Sequence, residues 1–227
     1  MQKRYIPIAV FFVVILILLA HFSGRAVAVP AFTYADSAEK KIYLTFDDGP
    51  SNSVTEPILD TLKAENVKAT FFVVSDRAHG REDVLKRIAR EGHTIGVHSA
   101  SHEYKKIYAS DEALLKDIST CAAFIEKTTG VVPRVYRFPG GSNGHSRQRE
   151  LVKKLGYRIS DWNAVCGDEE IRNASVETLT KTSLSSAKGK AVVVLLLHDS
   201  ATHKNTAQAL GGIIRAFKEQ NYTFCAY

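Results

Sequence analysis

Apolar and polar positions alternate in blocks along the chain, and the blocks differ in period. Short, dense apolar runs at 41–46 (KIYLTF), 69–74 (ATFFVV), 94–97, 135–138, 157–162, 191–197 (AVVVLLL) and 222–226 predict strands. Between them lie segments with apolar residues at three- and four-residue spacing, which predicts helices over 54–65, 82–91, 111–129, 146–155, 176–187 and 206–219. The 111–129 helix has a start signal in Ser110 and a stop in Gly130.

Strands that alternate with helices predict a parallel sheet covered by helices. About seven such units in one domain favour a distorted β/α barrel over a doubly wound open sheet. In both architectures the chemistry collects at the C-terminal ends of the strands.

The first residues carry a different pattern. Lys3 and Arg4 precede an apolar run from Ile6 to Ala20, and Ala26-Val27-Ala28 offers a small-residue cleavage site. Residues 1–28 therefore read as a signal peptide or, uncleaved, as a membrane anchor, 29–40 as a linker and 41–227 as the folded domain. Either leader puts the domain outside the cytoplasm, secreted or anchored to the outer face of the membrane.

The net charge of +6 includes Lys3, Arg4 and Arg25 of the leader. What remains is mildly basic, without the aromatic-interleaved basic runs that would favour nucleic acid. Three cysteines (Cys121, Cys166 and Cys225) do not form a disulfide framework but leave a single disulfide open, and Cys121 falls in the apolar pattern of its helix.

The polar residues that break these runs sit just past the predicted strands. Asp47-Asp48-Gly49-Pro50 ends the first, His98 and His102 follow the third, and Arg137 ends the fourth. Asp168 follows the fifth, and His198-Asp199 ends the sixth. Two imidazoles four residues apart fall on one face of a helical turn. With one carboxylate, for which Asp48 is the natural choice, they form a common divalent-metal set. On an extended segment Asp47 and Asp48 point to opposite sides, so one can bind metal while the other takes a proton from the attacking water. The competing reading of each motif is ordinary: a surface histidine pair, and a turn at Asp-Asp-Gly-Pro.

His198, leaving a buried strand, suits a general acid, and Asp199 either a turn residue or its orienting partner. Arg137 can pair with Asp47, and the turn at Pro139-Gly140-Gly141 brings backbone N–H groups near the pocket. His93 reads as structural, and His79, His145 and His203 as residues of polar segments rather than ligands. No phosphate loop is present in the sequence, since no Gly-Lys-Ser/Thr follows the glycines at 140, 141 and 144.

Taken in order, Thr45-Phe46-Asp47-Asp48-Gly49-Pro50, His98-Ser99-Ala100-Ser101-His102, Arg137-Phe138-Pro139-Gly140-Gly141 and Leu196-Leu197-His198-Asp199 resemble the motifs of the polysaccharide deacetylase family. This is carbohydrate esterase family four, with the nodulation-protein-B homology domain, and the resemblance runs over 41–227. It implies a distorted β/α barrel and a divalent metal, zinc first, with cobalt or manganese as alternatives. Asp47 would be the base, Asp48, His98 and His102 the metal ligands, and His198 the acid. Arg137 would hold the base and Asp168 would support that arginine. Leu196 would line the acetyl pocket, and the Gly140 N–H would be the oxyanion donor.

The resemblance aligns the family's Asp-Ser-x-Asp-Trp motif with 165–169, where Glu169 stands in place of the groove tryptophan and Trp162 is left to the preceding strand. The activity implied is removal of N-acetyl groups from an amino-sugar polymer, peptidoglycan first, by a monomer that touches the membrane only through an uncleaved leader. Chitin-like oligomers, O-acetylated polysaccharides and a non-catalytic wall-assembly role are the alternatives.

Overall fold

The computed structural model describes residues 39–227. The leader assigned to 1–28 and the linker up to residue 38 lie outside that range. Among the described residues no helix is long and apolar enough to cross a membrane.

Among the described residues eight strands and eight helices follow one another. They are β1 (Lys41–Asp47), α1 (Thr55–Ala64), β2 (Thr70–Val74), α2 (Ser75–Ala78), α3 (Glu82–Arg90), β3 (Thr94–Ser99), α4 (Tyr104–Ile107) and α5 (Asp111–Thr129). Then come β4 (Val135–Tyr136), α6 (Ser146–Lys154), β5 (Arg158–Ile159), β6 (Ala164–Val165), α7 (Val176–Ala187), β7 (Val192–His198), α8 (Lys204–Glu219) and β8 (Thr223–Cys225).

All pairings are parallel, in the order β5-β4-β3-β2-β1-β7-β6, and β8 pairs with the start of β1. Among the described residues no ladder joins β5 to β6, so the curled sheet stays open there. This is the expected distorted β/α barrel. The expected fifth strand, 157–162, is instead two short strands, and Ser160–Asn163 arches between them. Trp162 therefore lies in that arch and not in a strand.

Alternation along the strands separates two faces. Leu44 and Phe46 of β1 are fully buried and join Ile58 and Leu62 of α1 and Ile213 and Phe217 of α8 in the core under the helices. Truncating such a side chain to alanine costs about 2–5 kcal/mol. Thr45 and Asp47 face the other way, in register with Leu196 and His198 of β7. These four side chains share the barrel interior. Phe72 fills the interior beside them, and Gly96 makes room for it: a Cβ at Gly96 would lie 2.6 Å from the Phe72 ring.

The α5 helix keeps its predicted bounds. Ser110 Oγ accepts the Ala113 N–H at 3.1 Å, Gly130 closes the helix at φ 75°, and Leu114, Ile118, Cys121 and Ile125 form its buried stripe. All three cysteines are free thiols, and Cys121 is in the core.

Candidate active site

The expected site residues meet at the C-terminal ends of β1, β3, β4 and β7. Asp47 ends β1 and is 3% exposed. Its Oδ1 accepts a hydrogen bond from Arg137 Nη1 at 2.9 Å. Arg137 is fully buried. It also donates to Thr45 Oγ1 (2.8 Å), Ser160 O (2.9 Å), Ser160 Oγ (3.1 Å) and Asp161 O (3.3 Å). Its guanidinium stacks 4.3 Å from the Phe72 ring centroid. A buried guanidinium so fully engaged fixes the Asp47 carboxylate in direction.

Asp48 does not follow strand alternation. Its φ of 78° turns the chain out of β1, and its carboxylate comes back to the same mouth as that of Asp47. Arg77 of α2 holds this turn, donating to the Asp48 carbonyl at 2.9 Å and pairing with Asp48 Oδ1 at 3.2 Å. The sequence reading missed Arg77, because a four-residue helix leaves too short a pattern to place it.

The histidine pair is also brought together differently from expectation. His98 is still on β3, whereas His102 lies in the following loop at φ 58°, so no helical turn is involved. Asp117 of α5 holds that loop. Its carboxylate accepts hydrogen bonds from Ser99 Oγ (2.8 Å), Ala100 N (3.0 Å) and Ser101 N (3.3 Å), and Ser99 Oγ in turn accepts the His102 N–H at 2.8 Å.

The two imidazole centroids are 5.1 Å apart. Asp48 Oδ1 lies 3.1 Å from His102 Nε2 and 3.7 Å from His98 Nε2. His98 Nδ1 is 2.9 Å from the Arg137 carbonyl, which fixes its proton there and leaves the Nε2 lone pair facing Asp48.

This arrangement fits a divalent cation. Asp48 Oδ1 is buried and, although the Arg77 guanidinium lies 3.2 Å away, accepts no hydrogen bond. One donor atom each from Asp48, His98 and His102 lies within 4.8 Å of the others. Burial opposes ionisation of Asp48, but His98, His102 and Arg77 outweigh it and hold the carboxyl below its ordinary range. Burial lowers the His102 pKa.

On the opposite side, His198 ends β7. Its Nδ1 is 2.9 Å from Asp168 Oδ1, and Asp168 Oδ2 accepts the His198 N–H and the Thr206 hydroxyl, each at 2.8 Å. Burial disfavours the imidazolium, but the hydrogen bond and charge of Asp168, with Asp47 and Asp48, overcome it and raise His198 to about 9. His198 and these hydrogen bonds in turn hold the Asp168 carboxyl below its ordinary range, against its burial. Asp168 therefore orients His198 and does not support Arg137, which is held by Ser160 and the Asp161 carbonyl.

Asp199 is not a solvent-facing turn residue. It is 1% exposed, and its N–H donates to the Asp47 carbonyl at 3.0 Å. Its Oδ2 accepts the Thr55 hydroxyl at 2.6 Å. Burial first, then Asp48 and Asp47, push its carboxyl up to about 7. It packs directly beneath Gly49, where a Cβ would lie 2.0 Å from Asp199 Oδ2, so glycine is needed at that position.

The 138–142 loop is clamped on both sides. Tyr108 donates its hydroxyl to Pro139 O at 2.8 Å, and Asp161 Oδ1 accepts the Ser142 N–H at 3.1 Å. Gly140 and Gly141 have φ of 78° and 87°, respectively, a region that suits glycine. A Cβ at Gly140 would lie 3.0 Å from Tyr104, and one at Gly141 would lie 3.1 Å from Trp162.

Among the described residues the Gly140 N–H has no hydrogen-bond partner. Leu196, 6% exposed, shares the interior face with Thr45. The tryptophan beside the mouth is thus Trp162, from the β5–β6 arch, and its ring lies 5.6 Å from the Arg137 guanidinium. Glu169 does not stand in for it: its carboxylate is 3.0 Å from His203 Nε2. The Ser160-Asp161-Trp162 run carried the signal for this wall, and its assignment to a strand concealed it.

A parallel β/α barrel brings a carboxylate and two imidazoles to its mouth, between a buried arginine-held aspartate and an aspartate-held histidine, a set of side chains that could hold a cation between two acid–base groups. The sequence profile described as Polysaccharide deacetylase matches residues 34–160, and the chain belongs to that family.

It is similar to the peptidoglycan-N-acetylglucosamine deacetylase PgdA of Listeria monocytogenes, 37% identical over 223 residues. That match takes in 98% of this chain but 42% of the relative, so the chain spans less than half the length of that protein. A peptidoglycan-N-acetylglucosamine deacetylase of Bacillus cereus is 34% identical over 82% of this chain and 85% of its own length. Among solved structures, the catalytic domain of a peptidoglycan N-acetylglucosamine deacetylase from Eubacterium rectale superposes with a TM-score of 0.75 at 36% identity, covering 83% of this chain and 88% of that one. A Streptococcus mutans CE4 esterase gives 0.78 at 31% identity, covering 83% and 86%.

Proposed function

We propose that this chain hydrolyses N-acetyl groups on an amino-sugar polymer of the cell wall, peptidoglycan first, giving acetate and a free amine outside the cytoplasm. The observation that carries the proposal is the pairing of two opposed groups across one mouth: Asp47 clamped by Arg137, and His198 clamped by Asp168. The names of the relatives from Listeria monocytogenes, Bacillus cereus and Eubacterium rectale support the choice of polymer.

Asp48, His98 and His102 would hold the cation, with zinc as the first candidate and cobalt or manganese as alternatives. Bound there, a divalent cation polarises the acetamide carbonyl and lowers the pKa of a water toward neutrality. Asp47 accepts the proton of the attacking water as the C–O bond forms. Arg137 holds that carboxylate in place. The Gly140 N–H faces the developing oxyanion. His198, protonated through its contact with Asp168, delivers a proton to the amine as the C–N bond breaks. Leu196 lines the acetyl methyl pocket, and Trp162 and Tyr104 flank the sugar.

The test is release of acetate from purified peptidoglycan, chitin oligomers and O-acetylated xylan, matched by an equal amount of free amine on the two N-acetylated substrates. The proposal expects peptidoglycan to be the fastest substrate and Asp47→Asn to abolish release. Faster release from the O-acetylated substrate would make the chain an esterase. No release from any substrate would leave the scaffold a glycan-binding protein.

A further inference from the structure

A second cluster of metal-ligating side chains lies beside the acid. One donor atom each from Glu169, His198 and His203 falls within 4.8 Å of the others. His203 Nε2 is 3.0 Å from Glu169 Oε2, and the His198 and His203 rings stack with centroids 5.0 Å apart. Each imidazole has its Nδ1 engaged by an oxygen: His198 on Asp168 at 2.9 Å, and His203 on the Ser200 hydroxyl at 2.8 Å. A metal-ligating histidine is typically oriented this way, with one ring nitrogen fixed so that the other can coordinate, and at His198 the cation would displace the proton from that nitrogen. Two imidazoles and one carboxylate form a set suited to zinc and its neighbours, leaving a position open to solvent. The Glu169 side chain is 66% exposed, whereas those of His198 and His203 are each 11% exposed, so a cation can enter from the mouth.

We propose that Glu169, His198 and His203 form a second, inhibitory site for a divalent transition metal, separate from the Asp48–His98–His102 set. A cation held there engages the His198 nitrogen that would donate the proton, so deacetylation stops when this site fills. The inhibitory effect rests on the catalytic role proposed for His198; the binding itself does not.

Zinc bound per chain, measured by equilibrium dialysis of the full chain followed by atomic emission, separates the two. The wild-type protein is expected to bind two zinc ions, Glu169→Gln and His203→Gln one each, and the Asp48→Asn, His102→Asn double variant one. Activity of the wild type is expected to rise and then fall with added zinc, and in Glu169→Gln the falling limb moves to at least about tenfold higher zinc. One zinc in the wild type, or two retained in both single variants, overturns the site. Two zinc ions with the expected losses but no falling limb overturn the inhibition and keep the site. Absence of activity at any zinc concentration counts against the deacetylase reading, and the stoichiometry still decides the site.

Discussion

Asp168 grips His198 at two points, with one carboxylate oxygen 2.9 Å from the ring Nδ1 and the other accepting the backbone N–H at 2.8 Å. The imidazole is thereby fixed in orientation and pushed toward its charged form, and its pKa is raised to about 9. A general acid contributes about 10²–10⁴ in rate. Asp168→Asn is expected to lower kcat by about tenfold to a hundredfold with little change in KM.

The same contact sets a pH dependence. In the proposed role of acid His198 must carry its proton, so kcat is expected to fall as pH rises through about 9 in the wild type. In Asp168→Asn that limb moves down toward the ordinary histidine value of about 6.5. An unmoved alkaline limb in a pH–rate profile of the variant would remove Asp168 from this role.

Arg137 is fully buried with five hydrogen bonds, one of them to Asp47. Replacing it by methionine keeps the packing and leaves Asp47 buried without a counter-charge. Stranding one member of a buried pair costs about 3–5 kcal/mol. Urea denaturation of Arg137→Met is expected to show a loss of that size, and the double variant with Asp47→Asn to recover part of it.

Trp162 offers its ring beside Gly141 at the mouth. Removing an aromatic anchor from a binding surface costs about 1–2 kcal/mol, roughly tenfold in affinity. Trp162→Ala is expected to raise KM for glycan oligomers about tenfold and to leave kcat close to that of the wild type. Steady-state kinetics on a defined oligomer series measures both.

Much of this was legible beforehand. The α5 helix could be bounded because Ser110, Gly130 and the 114-118-121-125 stripe agree, and the strands because their apolar runs are dense. What escaped was set by single backbone conformations and long-range contacts. The positive φ of Asp48 and His102 overrode the strand and helix periods that seemed to place their side chains. Arg77 and Asp117 act on residues far away in sequence, which no local pattern announces. The 157–162 segment looked like one strand because an apolar run cannot show where pairing stops, and that hid Trp162 and misassigned the partner of Asp168.

His93 supplies a stability test away from the mouth. Its Nδ1 accepts the Ala69 N–H at 3.2 Å, which requires the neutral ring. Burial first, then Lys68, lowers its pKa to about 4. The unfolded chain takes up this proton near the ordinary value of about 6.5, well before the folded protein does. The contribution is therefore fully present above that value and is lost as pH falls from it toward 4. Chemical denaturation at stepped pH is expected to show the loss, and His93→Asn, which cannot titrate, to show a shallower decline over the same window.

The central claim is that Asp48, His98 and His102 hold a cation on which hydrolysis depends. It is tested most directly by acetate release from peptidoglycan before and after chelation, and after stoichiometric zinc, cobalt or manganese is restored. Chelation is expected to abolish release and one equivalent of metal to restore it in the wild type, with no restoration in Asp48→Asn or His98→Ala. Undiminished release from the metal-free protein, or full restoration in either variant, would contradict it.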